Sequence, residues 1–132
     1  MDFQFKILSV SYIKEIIPLI QKLTENKFTN NILELRFKEM FTQNYECAGI
    51  FADEKLIWIS GIWFCTRYYS GRSVEVDYVY INDNHQRQGL GTQFFDWIYA
   101  YVKQKDMNQS SLILMCKIMR HINFITIRDI RY

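Results

Sequence analysis

Proline occurs once, at Pro18, and glycine five times in 132 residues. So little of either leaves no Pro/Gly-rich linker or low-complexity tract. No internal repeat is present either. Cysteine is scarce: Cys47, Cys65 and Cys116 form an odd set without CxxC spacing. This excludes a disulfide framework and a cysteine zinc site, and fits reduced thiols in a cytoplasmic protein. The two histidines, His85 and His121, lack companion ligands at metal spacing, so no metal is expected. An excess of charge of one sign is missing too. Sixteen Lys and Arg face fourteen Asp and Glu, a net charge of +2. The basic residues are scattered, so neither a nucleic-acid surface nor a membrane surface is expected. Apolar runs are too short to span a bilayer. Asp2, Lys6, Lys14 and Glu15 interrupt the N-terminal stretch, which argues against a signal peptide.

What is present is apolar and aromatic. Hydrophobic residues make up 49% and aromatics 17%, enough for a packed core and against disorder. The length predicts one domain over residues 1–132.

Periodicity then divides the chain. Phe3 to Ile7 alternates apolar and polar, as a strand does. Ser11 is placed to cap a helix carrying Ile13, Ile16, Ile17, Ile20 and Leu23, and Pro18 should kink or divide it. Ile32, Leu33, Leu35, Phe37, Met40 and Phe41 predict a second helix after Asn30 or Asn31. Glu46 to Phe51 reads as a strand, Ala52 to Lys55 as a hairpin turn, and Leu56 to Tyr69 as a long strand rich in aromatic and β-branched residues. Gly61 marks a candidate bulge in it. After a turn at Ser70–Arg72, Val74, Val76, Tyr78 and Tyr80 alternate with Glu75, Asp77, Val79 and Ile81. Asn82 to Gln88 is a polar loop. Thr92 to Lys105 has the broad apolar face of a packed helix, and Ser111 to Cys116 reads as a buried strand. The order β-α-α-β-β-β-α-β predicts an α/β fold whose mixed, mostly antiparallel sheet is flanked by helices.

The segment with chemistry is Gln86-Arg87-Gln88-Gly89-Leu90-Gly91. It stands where a strand and loop give way to a helix. Backbone N–H groups at a helix start lack intrahelical partners and sit at the positive end of the helix dipole. Glycine lets a phosphate come close to such a backbone. Two other phosphate loops do not fit. A dinucleotide fingerprint needs glycine where Phe94 stands, and the Gly-Lys-Ser/Thr of a P-loop is absent. A tight turn that binds nothing is the competing reading of the two glycines.

This hexapeptide, with Ile81 ending the strand before it, resembles the signature of the GCN5-related N-acetyltransferase (GNAT) family, Gln/Arg-x-x-Gly-x-Gly/Ala. The order of elements is similar from about residue 3 to 116. The resemblance implies an acyl-CoA N-acyltransferase fold and acetyl-CoA as cosubstrate. It implies that Gln86, Arg87, Gln88, Gly89, Leu90, Gly91 and Thr92 form the pyrophosphate loop, chiefly through backbone amides, with Arg87 either near the phosphates or solvated. It further implies that backbone groups of Val79 and Ile81 pair with the pantetheine arm and acetyl carbonyl, as an added strand pairs with a sheet edge. The family transfers an acyl group directly to an amine, assisted by a base on the strand before the motif. Glu75 stands six residues before Ile81, where the histone-modifying branch keeps its base, and Asp77 is the second candidate on the same face. Burial would raise the pKa of either carboxylate toward the useful range. A plain ion pair with Arg67 or Arg72 is the competing reading.

The C-terminus departs from the family. After Leu114 an Asn, an Ala and a Phe-Tyr pair on a last helix are expected, then further strands. Residues 117–132 offer no clean match, so the last helix and strands are expected to be altered or missing, as in a truncated chain. The apolar surface and sheet edge this exposes make a homodimer one remedy. The stretch with Ile118, Ile122, Ile125 and Ile127 suits helix or strand equally. The function expected is transfer of the acetyl group of acetyl-CoA to a small-molecule or peptide amine. The alternative is a non-catalytic CoA-binding or interaction module, and a third reading is an unrelated α/β domain.

Overall fold

The structure is a computed structural model. It describes residues 2–69, 71–81, 89–105, 113–119 and 124–130, with the side chains of 78–81, 113–119 and 124–130 excepted. Strand β1 (Phe3–Leu8) leads through a 3-10 turn (Val10–Tyr12) into α1 (Ile13–Leu23) and α2 (Asn30–Met40). Three strands follow: β2 (Tyr45–Ala52), β3 (Lys55–Arg67) and β4 (Gly71–Ile81). Then come α3 (Leu90–Lys105), β5 (Ile113–Met119) and β6 (Phe124–Ile130).

The helices follow their apolar spacing. Ile13, Ile16, Ile17, Leu19 and Ile20 put a buried face of α1 on the sheet. Pro18 lies within α1 and does not divide it. It faces solvent, where water can satisfy the carbonyl that a proline leaves unpaired. Ser11 does not cap this helix. The 3-10 turn intervenes, Tyr12 takes the cap position without a side-chain bond, and the hydroxyls of Ser9 and Ser11 meet at 2.7 Å. The cap of α2 is Thr29, whose Oγ1 accepts from the Ile32 amide at 3.2 Å.

The six strands lie in the order β1-β2-β3-β4-β5-β6. Every neighbouring pair is antiparallel except β4 and β5, which run parallel. A parallel pair needs a long connection, and α3 supplies it. One core lies between the sheet and α3, with Ile50, Ile62, Val74, Val76, Leu90, Phe94 and Ile98. A second, with Ile16, Ile20, Phe37, Cys47 and Ile59, lies under α1 and α2.

Two irregularities of β4 matter most. Opposite Gly61 the register slips: Ile62 pairs with Val76 but Ser60 with Val79. Two residues of β4, Asp77 and Tyr78, thus stand against one of β3. A bulge is present, but the extra residue belongs to β4 rather than to the glycine's own strand. The even alternation expected through Val74–Ile81 therefore breaks at Asp77. Val79 and Ile81 stand opposite Ser60 and Trp58, the alternate set of β3 positions that also includes the partners of Val74 and Val76. Bulges bend a strand and end its regular pairing. Here β5 pairs with β4 only from Ser73 to Val76, and beyond that Ile118 and Met119 of β5 pair with β6 alone. The sheet forks.

The described part of the C-terminal stretch is strand. Four residues separate β5 from β6, too few for a helical crossover, and the two strands form an antiparallel pair.

Candidate functional site

The fork and the start of α3 lie at consecutive points of the chain. Past Val76, among the described residues, β4 pairs with β3 alone, through Val79, Tyr80 and Ile81. Antiparallel pairing with β3 leaves the other edge of that stretch free to bond an extended ligand. Val79 and Ile81 fall within it. Gln86, Arg87 and Gln88 lie outside the described residues.

The two glycines of the motif differ in kind. Gly89 has φ +69°, and a Cβ built on it would meet nothing within 4 Å. It turns the chain into the helix and leaves open space beside it. Its carbonyl accepts from the Gln93 amide at 3.4 Å, which makes it the helix cap. The amides of Leu90, Gly91 and Thr92 therefore stand in the first turn, where no intrahelical carbonyl reaches them. Leu90 is buried in the α3 core and Thr92 is exposed. At Gly91 a Cβ would come within 3.0 Å of the Trp58 ring. Gly91 is thus required for close packing of helix on sheet, whereas Gly89 is required for its backbone angle.

The two carboxylates also differ. Glu75 pairs with Trp63 on one side and with Cys116 of β5 on the other. Its Oε2 lies 3.4 Å from Nη2 of Arg67, so the ion pair with arginine anticipated from the sequence is present. Its side chain is 44% exposed, which corrects the expectation of a buried group. Asp77 is half-buried and accepts a hydrogen bond from the Trp63 indole Nε1 at 3.1 Å. Since Trp63 also stands opposite Glu75, both carboxylates share its side of the sheet, as expected. Trp63 itself packs on Tyr45, ring centres 4.9 Å apart, at the edge of the α1–α2 core.

Trp63 is the residue that sequence reasoning missed, because a strand tryptophan reads as core or sheet face. Its distance of fourteen positions from Asp77 gives no local signal. Trp58 is buried. Tyr68 and Tyr69, placed in the long strand by the sequence, lie just past its end at Arg67, exposed and edge-to-face on one another. A further polar tie joins α3 to β2: Tyr101 Oη and Lys105 Nζ both donate to the Glu46 carboxylate. Burial, and then the bond to Glu46, push the Tyr101 hydroxyl well above its ordinary range. Among the described residues no cluster of His, Cys, Asp and Glu is grouped to hold a metal. No helix among them is long and apolar enough to cross a membrane.

A family model for the acetyltransferase (GNAT) family matches residues 14–128. The chain belongs to that family. Several solved acetyltransferase structures are similar in fold at low identity. A ribosomal-protein-alanine N-acetyltransferase from Brucella melitensis biovar Abortus 2308 is similar with TM-score 0.68 and 16% identity, over 90% of this chain and 79% of that one. An aminoglycoside acetyltransferase from an uncultured soil metagenomic sample, in complex with sisomicin, is similar with TM-score 0.68 and 16% identity, over 89% and 76%. The aminoglycoside acetyltransferase AAC(6')-Iy, bound to the bisubstrate analogue CoA-S-monomethyl-acetylneamine, gives TM-score 0.74 at 10% identity, over 89% and 80%. No curated protein matches the sequence. The GNAT match extends past Cys116 into β6.

Proposed function

We propose that this acetyltransferase uses acetyl-CoA to acetylate a primary amine by direct attack, as a single domain over residues 1–132. The observation that carries the reading is the fork. Beyond Val76, β4 is released from β5, and its strand leads toward a helix start capped by Gly89. An extended pantetheine arm would pair with the free edge at Val79 and Ile81. Its pyrophosphate would rest on the loop Gln86, Arg87, Gln88, Gly89, Leu90, Gly91 and Thr92, where orphan amides and the helix dipole favour anions.

The chemistry needs no covalent enzyme intermediate. The acceptor amine gives up a proton to a carboxylate, its nitrogen bonds to the thioester carbonyl carbon, and the carbon–sulfur bond breaks. CoA leaves as a thiolate that takes a proton from solvent. Glu75 and Asp77 are the two candidate bases. No metal is required in this scheme. An aminoglycoside and a peptide with an N-terminal alanine are the first acceptors to try, given the relatives' own substrates. We place the enzyme in the cytoplasm, where its thiols stay reduced. The edge strands β1 and β6 are the surfaces by which a homodimer would form.

Acetyl-CoA binding by calorimetry tests the site. The wild type should bind, and Gly89→Trp should lose binding. Its side chain would fill the open space beside the helix start, and at φ +69° it would also strain the turn, so the variant's helix content is compared with that of the wild type by circular dichroism. Wild-type protein that binds no acetyl-CoA would refute the reading. Binding without turnover on any amine would favour a non-catalytic CoA-binding module, the second reading.

A further inference from the structure

The two carboxylates of β4 are not equivalent. Glu75 lies within the stretch that β5 still holds, opposite Cys116. Asp77 is the first residue past the last β4–β5 pair, Val76 with Lys117. It therefore stands at the mouth of the fork, between the closed ladder and the edge assigned to the pantetheine arm. The bulge opposite Gly61 begins at this residue, and bulges re-aim side chains near active sites.

Their partners differ as well. The Glu75 carboxylate is engaged by Arg67 at 3.4 Å on an exposed surface. Asp77 Oδ2 accepts from the Trp63 indole at 3.1 Å. An indole N–H donates only, so it orients a carboxylate without competing for a proton. The bond engages Oδ2 and leaves Oδ1 for an incoming amine. Trp63 is itself fixed by packing on Tyr45, which is buried and in turn lies 5.3 Å from the Phe41 ring.

We infer that Asp77 is the proton-accepting carboxylate of the transfer reaction, that Trp63 is its positioning residue, and that Glu75 is an ion-pair partner of Arg67 outside the chemistry. This inference rests on the acetyl-transfer reading above. The indole donor acts on the reaction only through Asp77, so its loss should cost nothing further once that carboxylate has been replaced.

The test follows release of CoA thiol from acetyl-CoA with sisomicin, with an N-terminal-alanine peptide and with water as acceptors, alongside acetyl-CoA calorimetry. Asp77→Asn keeps the shape and should lower kcat about a hundredfold or more, the scale of a lost general base. Glu75→Gln should stay within about threefold of wild type, a surface ion pair contributing little. Trp63→Phe keeps a ring against Tyr45 but removes the N–H. It should lower kcat roughly tenfold, leave KM for acetyl-CoA unchanged, and cost nothing further when added to Asp77→Asn. A purely structural tryptophan would lower kcat by the same factor in both backgrounds. An equal loss in Glu75→Gln and Asp77→Asn, or a Trp63→Phe loss that persists in the Asp77→Asn background, would overturn the inference. Acetyl-CoA that binds but is consumed with none of the three acceptors would overturn it too, while leaving the CoA site standing. Failure of the wild type to bind acetyl-CoA would instead bring down the acetyl-transfer reading, and this inference with it.

Discussion

Single residues in this protein are fixed by contacts that residue type alone does not announce. Gly89 and Gly91 belong to one motif, yet one answers to a backbone angle and the other to an indole ring 3.0 Å from its missing Cβ. Gly91→Ala should therefore overpack the α3–sheet contact and lower stability by roughly 1–3 kcal/mol. A urea midpoint at neutral pH checks this, and an unchanged midpoint would mean that Trp58 yields easily. Tyr101 presents a second residue-scale case. Its hydroxyl, held protonated by burial and by Glu46, contributes stability that is fully present below the ordinary tyrosine range. The unfolded chain releases this proton at lower pH than the folded one, so that stability is lost as pH rises above about 10. Tyr101→Phe should flatten this alkaline decline, measured as the pH dependence of the urea midpoint relative to wild type.

Among the elements, the β2–β3 hairpin is joined by Asp53 and Glu54 at φ 50° and 71°. Two consecutive left-handed residues suit the twist of a tight hairpin, and glycine is the usual second one. Neither residue here is glycine, and Glu54→Gly should raise stability by about 0.5–1 kcal/mol through relief of that strain. A thermal melt reads it, and a fall in Tm would show that the glutamate side chain has a role the hairpin geometry does not disclose. The turn itself was legible as Ala52–Lys55 because it breaks two apolar runs. The second helix was expected after Asn30 or Asn31; it begins at Asn30, with Thr29 as its cap. Threonine and asparagine both serve at helix starts, and only the bond from Ile32 singles out Thr29. The bulge was legible through Gly61 but not its owner. A glycine marks where a partner strand can crowd, and pairing decides which strand carries the extra residue.

At the scale of the whole molecule, one extra residue in β4 shapes the candidate site. It ends the β4–β5 ladder at Val76 and leaves Asp77 at the fork, where a strand-like ligand can enter. The C-terminal stretch takes the remaining edge of the sheet as β6. A run with isoleucine at both helical and strand spacing carries no preference of its own. The nearby edge of β5, with unpaired amides and carbonyls, gives it one.

The sequence by itself determined the family, the order of the elements through β5 and the glycine loop at the head of α3. Those depend on local patterns: apolar spacing of two or of three and four, and glycine where a helix begins. Tertiary structure decided the rest. It chose strand for the last segment, put the bulge in β4, paired Glu75 with Arg67 and brought Trp63 to Asp77. Each of these turns on register between strands far apart in sequence, and register is a property of the assembled sheet that no local window of residues contains.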